Sequence, residues 1–182
     1  MIIGISGKSG CGKTTFAKRL ISESKKDCVH LDIDKVGHTV LTIPEVQEEL
    51  IHTFGDVVED GVVNRKKLGA IVFSSPDEMN KLTNITWKYM QIEIDEFIQN
   101  NEGKVIILDW LLLPITKYFE ICNIKVLLDI PYEVRKKRAM KRDSITEEAF
   151  DLRDQASIDL NSGDFDIVVQ KDEDFKRMVK LL

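Results

Sequence analysis

The chain has 182 residues, a hydrophobic fraction of 43 % and a formal net charge of −5. That length suits one domain burying about 70 % of its unfolded surface. The mildly acidic balance argues against general affinity for nucleic acid, which needs excess Lys and Arg to meet phosphates. Three widely spaced cysteines, Cys11, Cys28 and Cys122, exclude a disulfide framework and a zinc pattern; they fit a reducing, cytoplasmic compartment.

The first apolar run, Ile2-Ile3-Gly4-Ile5, predicts a buried strand over 2–6. With a strand there, no signal peptide is expected. No apolar run approaches 18 residues, because 105–108 and 111–115 are interrupted by Asp109, so no membrane span is expected.

Residues 7–14 read Gly-Lys-Ser-Gly-Cys-Gly-Lys-Thr, an intact G-x-x-x-x-G-K-[ST] phosphate-binding loop. Its glycines allow a tight turn in which several backbone N–H groups converge on one phosphate. Lys13 adds a point charge for the β- and γ-phosphates, and Thr14 a hydroxyl for magnesium. Gly7, Lys8, Ser9, Gly10, Cys11, Gly12, Lys13, Thr14 and Thr15 are therefore the candidate nucleotide-binding residues, with ATP and Mg²⁺ as the implied ligands. Phe16 and Leu20, four residues apart, predict a helix whose N-terminus faces the phosphates. Cys11 stands near that N-terminus, where a thiol pKa can fall; a small residue filling a variable loop position is the plainer reading.

A second strand is predicted over 28–32, closed by Asp32-Ile33-Asp34 with both carboxylates on one face. Ligands of open parallel sheets sit beyond the carboxyl ends of the strands. Asp34 is accordingly the candidate base for an acceptor hydroxyl, and Asp32 a magnesium-side partner. The structural alternative is that Asp34 caps a helix starting near Lys35.

The stretch 35–103 is too long for a simple crossover and reads as mostly helical. Ser75-Pro76-Asp77-Glu78 is a capping box with Pro at the first helical position. Met79, Leu82, Ile85, Tyr89 and Ile92 then form one apolar stripe suited to core packing.

Further strands are predicted over 104–109, 124–129 and 166–169, and a last helix over about 173–181. Runs such as Val105-Ile106-Ile107-Leu108 lack alternation, as strands covered on both faces should. Asp109 after four apolar residues has the Walker B form, a carboxylate that can hold magnesium; a strand-end turn is the alternative. Arg135, Arg138 and Arg142 share one face of a basic helix that can close over phosphates as a lid. A solvated basic helix would carry the same run. His30, His38 and His52 show no ligand spacing.

With these residues in place the chain resembles the dephospho-CoA kinase family. The likeness extends to Phe54-Gly55, Asp60-Gly61, Asn64-Arg65, Leu68, Val72-Phe73, Asp109 with Leu111-Leu112, Arg138-x-x-x-Arg142-Asp143 and Gln155. It departs at Trp87-Lys88 (usually His-Pro), at Pro114 (usually acidic), at Asn161 (near an expected lid arginine) and at Gln170-Lys171-Asp172 (usually Asn-x-Gly).

The resemblance implies an α/β P-loop kinase: a five-stranded parallel sheet flanked by helices, with a helical acceptor-binding insertion and a lid. The core would be 1–34 and 104–182, the lid about 132–158, the insertion 35–103. It implies transfer of the γ-phosphoryl of ATP to the 3′-hydroxyl of dephospho-CoA. Asp34 would be the base, Lys13 and Arg138 would hold the transferred phosphoryl, Arg142 would meet the nucleotide, and Arg65 and Asp109 would lie on the acceptor side.

Two alternatives stay open at this point. Ile3-Gly4-Ile5-Ser6-Gly7 also looks like the uridine kinase group of nucleoside kinases, and a degenerate nucleotide-binding relative would share the loop. A GTPase switch does not fit, since Asp109-Trp110-Leu111-Leu112 lacks the Asp-x-x-Gly it needs.

Overall fold

The computed structural model describes residues 1–180. In chain order it runs through β1 (Ile2–Ser6), α1 (Lys13–Glu23), β2 (Cys28–Asp32), α2 (Ile33–Val40) and α3 (Pro44–Phe54). There follow β3 (Val58–Glu59), β4 (Val62–Val63), α4 (Arg65–Val72), α5 (Pro76–Asn100) and β5 (Val105–Asp109). The remainder is α6 (Lys117–Glu120), β6 (Ile124–Leu128), α7 (Tyr132–Asp143), α8 (Glu147–Gln155), β7 (Ile167–Val169) and α9 (Asp172–Val179). The final helix was predicted to reach 181, which lies outside the described residues. Two compact units emerge, Met1–Asp32 with Asn101 onward, and Ile33–Asn100.

The first unit is a five-stranded sheet in the order β2-β5-β1-β6-β7, every pairing parallel. β1 and β5 sit inside it with helices to cover them, and β5 is buried along its whole length. That is why Val105 to Leu108 read as an unbroken apolar run. α1 turns Phe16, Ala17 and Leu20 inward, the i, i+1, i+4 set of one helical face. They meet Ile3, Ile5, Ile107 and Val126 from the sheet and Phe175 and Met178 from α9. The Phe16 and Phe175 rings stack edge-to-face at 5.1 Å, an aromatic geometry worth about 0.5–1.5 kcal/mol beyond area burial.

The second unit packs α5 against α2, α3 and α4. It also holds a two-stranded hairpin, β3 with β4, in a stretch predicted as mostly helical. The cause is Asp60-Gly61, whose φ values of 50° and 75° are both left-handed, as a two-residue hairpin turn requires. Asn64 then caps α4, its Oδ1 accepting from Lys67 N at 3.1 Å, and Ser75 Oγ accepts from Glu78 N at 3.3 Å before α5.

Two expectations need correction. The stripe on α5 does not continue to Ile92, which is 53 % exposed; Met90 and Ile94 are buried instead. One partner would fix one face, but three partner helices make the buried face turn around α5 between its halves. The Asp32-x-Asp34 pair is not on one strand either. β2 ends at Asp32 and α2 starts at Ile33, so period-two alternation does not reach Asp34. The buried side chains of Ile33, Val36 and Val40 draw the chain into the helix at once.

Candidate functional site

The phosphate-binding loop joins β1 to α1. Gly12 occupies the position before the first helical turn with φ 93°, and Gly10 has φ 80°. A Cβ on Gly10 would stand 2.2 Å from the backbone oxygen of Arg135, so only glycine lets the loop lie against α7. Lys13 Nζ donates to Gly7 O at 3.0 Å, folding its ammonium back across the loop.

Thr14 Oγ1 donates to Asp109 Oδ2 at 2.9 Å. Asp109, only 1 % exposed, ends β5. Its neighbour in register on β2 is Asp32, so two carboxylate residues close adjacent parallel strands. Asp109 Oδ2 also lies 3.3 Å from His30 Nε2. His30 comes from the interior of β2, and its side chain is 12 % exposed. Sequence reasoning assigned it no role, because a single His on a strand carries no spacing signal.

Cys11 is buried, and burial pushes its thiol pKa up, with Lys13 countering only in part. The lowered value that a helix N-terminus can produce is not found here.

The arginine face of α7 divides into different jobs. Arg138 is exposed, and its Nη1 lies 3.9 Å from where a Cβ on Gly12 would be, beside the loop. Arg142 pairs with Asp143 through Nε at 2.7 Å and Nη2 at 2.9 Å. Arg135 is only 7 % exposed and does not point outward with the other two; it donates to Asp154 of α8. α7 and α8 are further joined by Tyr132 to Asp151, Lys136 to Glu147, and Arg153 to Asp143. Arg142, then Arg153, holds the Asp143 carboxyl at about 2, well below the usual carboxylate range.

A cavity of about 460 Å³ opens beside the loop, lined among others by Lys8, Leu128, Asp129, Asp159 and Leu160. The departures from the family pattern have local work. Gln170 Nε2 donates to Asp129 Oδ2 at 2.8 Å. Lys88 pairs with Glu49 at 2.6 Å. Asn161 Oδ1 accepts from Gly163 N at 3.1 Å, and Pro114 lies in a 3₁₀ turn.

Asp34 and Arg65 belong to the second unit. Asp34 is exposed in the first turn of α2, and Arg65 is exposed at the start of α4. No helix among the described residues is long and apolar enough to cross a membrane.

Comparison with known proteins gives a consistent result. The model of the CoaE, dephospho-CoA kinase, family matches residues 1–176. A dephospho-CoA kinase of Aquifex aeolicus is 35 % identical over 155 residues, 83 % of this chain and 77 % of its own. One from Fusobacterium nucleatum is 30 % identical over 99 % of this chain and 94 % of its own. Among solved structures, a Thermus thermophilus protein matches with TM-score 0.82 at 25 % identity, covering 100 % and 95 % of the two chains. Dephospho-CoA kinase from Campylobacter jejuni shares the fold, with TM-score 0.68 at 23 % identity over 99 % and 94 %. The intact loop, the strand-end carboxylate bound to its threonine and a family match over nearly the whole length lead to one assignment: this chain belongs to the dephospho-CoA kinase family, and it is a kinase.

Proposed function

We propose that this chain transfers the γ-phosphoryl group of ATP to the 3′-hydroxyl of dephospho-CoA, giving coenzyme A. The observation that carries the reading is Thr14 held against Asp109 at the mouth of an intact loop, in a chain matched by that family from residue 1 to 176.

The donor set fits magnesium. A hydroxyl and a carboxylate meet at 2.9 Å, with a second carboxylate residue one strand away in register; hard oxygen donors suit this ion. No cluster of three or more His, Cys, Asp or Glu able to hold a metal occurs among the described residues. Thr14, Asp109 and Asp32 would hold the ion together with the nucleotide's own phosphates. When bound, it neutralises charge developing on the phosphate oxygens.

The chain's own residues supply the rest. The loop N–H groups of 7–15 would cradle the phosphates, and α1 favours negative charge at its N-terminus. Lys13 would leave Gly7 O for the β- and γ-phosphates. Arg138 would stabilise charge on the transferred group, and Arg142 would meet the nucleotide. Asp34 would orient the acceptor hydroxyl and take its proton, with Arg65 and Asp109 on the acceptor side. The partners are small molecules, and the three free thiols suit a reducing cytoplasm.

The test is direct. The purified chain with ATP, Mg²⁺ and dephospho-CoA should form coenzyme A, identified by mass. Uridine and other nucleosides should give no product. Turnover of a nucleoside with none of dephospho-CoA would overturn the acceptor; ATP binding without transfer to any acceptor would overturn the reaction.

A further inference from the structure

Arg135 is a buried cation, although its spacing puts it on the helix face expected to close over phosphates with Arg138 and Arg142. Its guanidinium donates from Nε to Ile130 O at 3.0 Å and from Nη1 to Ser9 O at 3.3 Å. It also grips the Asp154 carboxylate, from Nη1 at 2.6 Å and from Nη2 at 3.4 Å. One side chain thus joins the phosphate loop, the stretch that follows β6 and the far end of α8.

We propose that Arg135 and Asp154 are positioning residues that set the shape of the phosphate-binding loop and tie it to the seating of α8. The argument rests on peptide geometry. In a trans peptide the carbonyl and the following N–H point in opposite directions. Arg135 draws the Ser9 carbonyl toward α7, so the Gly10 N–H is turned the other way, off α7. An anion-binding nest needs its N–H groups turned toward the ligand. The next residue reinforces the seat, since Gly10 packs against the Arg135 carbonyl too closely for any Cβ.

Asp154 is needed because an arginine this buried is stable only when paired. Its two oxygens fix the plane of the guanidinium and so the direction of the N–H that reaches Ser9. Asp154 sits one residue before the end of α8. A shift of α8 would therefore rotate the fork and release the Ser9 carbonyl, whereas a seated α8 keeps the nest formed before nucleotide arrives. The loop's affinity for a nucleotide polyphosphate then depends on how α8 is seated. This inference rests on the kinase reading, in which the loop's ligand is a nucleotide.

The experiment is ADP binding by calorimetry on the full chain, with thermal unfolding and steady-state kinetics alongside. Asp154→Asn should weaken ADP binding about tenfold, equivalent to about 1.4 kcal/mol, and raise the KM for ATP similarly. The KM for dephospho-CoA should stay within twofold. The double variant Arg135→Met with Asp154→Leu removes both charges and leaves no orphan, so its unfolding temperature should recover toward wild type. Its ADP affinity should remain low, since nothing donates to Ser9. Restored affinity together with restored stability would show a merely structural pair and overturn the proposal. So would an ADP Kd within twofold of wild type in either variant. Wild-type protein that fails to bind ADP would overturn the kinase reading itself.

Discussion

Thr14 and Asp109 stand 95 residues apart in the chain and 2.9 Å apart in space, hydroxyl to carboxylate. The first turn of α1 and the end of β5 converge to make that contact, and it holds a hydroxyl and a carboxylate side by side at the mouth of the phosphate-binding loop. A hydrogen bond to a charged partner contributes about 1.5–3 kcal/mol.

Because His30 Nε2 approaches the same Asp109 oxygen at 3.3 Å, it helps orient the carboxylate. Residues that orient a metal ligand typically cost 10–100-fold in metal affinity when removed. His30→Ala should raise the Mg²⁺ concentration for half-maximal rate by about that factor. His30→Gln, which keeps a donor, should recover part of it. A magnesium titration of initial rate, with ADP binding measured without metal as a control, checks this; an unchanged titration in His30→Ala would refute it.

Asp34→Asn keeps the size of the side chain and removes the proposed proton acceptor. General-base contributions are about 10²–10⁴-fold. We expect kcat to fall by that order with the KM for dephospho-CoA little changed, the pattern of an interaction made in the transition state. Intact turnover would remove Asp34 from the mechanism.

Gly10→Ala should destabilise the fold as well as the site. A Cβ would meet a backbone oxygen at 2.2 Å, and the left-handed φ adds strain of about 1–3 kcal/mol. Thermal unfolding should fall by at least about 2 °C, since 1 kcal/mol corresponds to about 2–4 °C at this size. Unchanged unfolding would mean the loop can move off α7.

Asp143 links stability to pH. Its folded pKa is depressed to about 2 by Arg142 and Arg153, below its usual value near 3.8. Its contribution is therefore complete above about pH 4 and is lost as pH falls toward 2. Both arginines are well exposed, so screening limits the contribution to about 1 kcal/mol. Urea unfolding should show wild type more stable than Asp143→Asn at pH 7, with the gap narrowing below pH 4. A gap that widens in acid would contradict the assignment.

The strands and the loop were legible because their signals are local. An unbroken Val105 to Leu108 run and G-x-x-x-x-G-K-T each carry their own meaning. The Asp60-Gly61 hairpin was written equally locally but was hidden inside a segment dominated by helical periodicity. Ile92 and Met90 on α5 exchanged places because burial there depends on three partner helices, which one sequence window does not contain. Arg135 was misplaced for a similar reason: spacing puts it on the face of Arg138 and Arg142, and only the tertiary position of Asp154 and Ser9 turns it inward. The helical start at Ile33 illustrates how a boundary shifted by two residues changes what an alternation argument can claim.

The placement of β1 between β5 and β6 sets a timetable for biosynthesis. Its backbone edges find partners only once residues beyond 104 have been made. At about 5–20 residues per second on the ribosome, the nascent Ile2–Ser6 segment waits roughly 5–20 s for either neighbour. The segment 33–100, a compact unit in itself, is synthesised in the interval. Chaperone dependence in translation should therefore concentrate on the first thirty residues, and slowing synthesis ahead of β5 should lengthen that exposure.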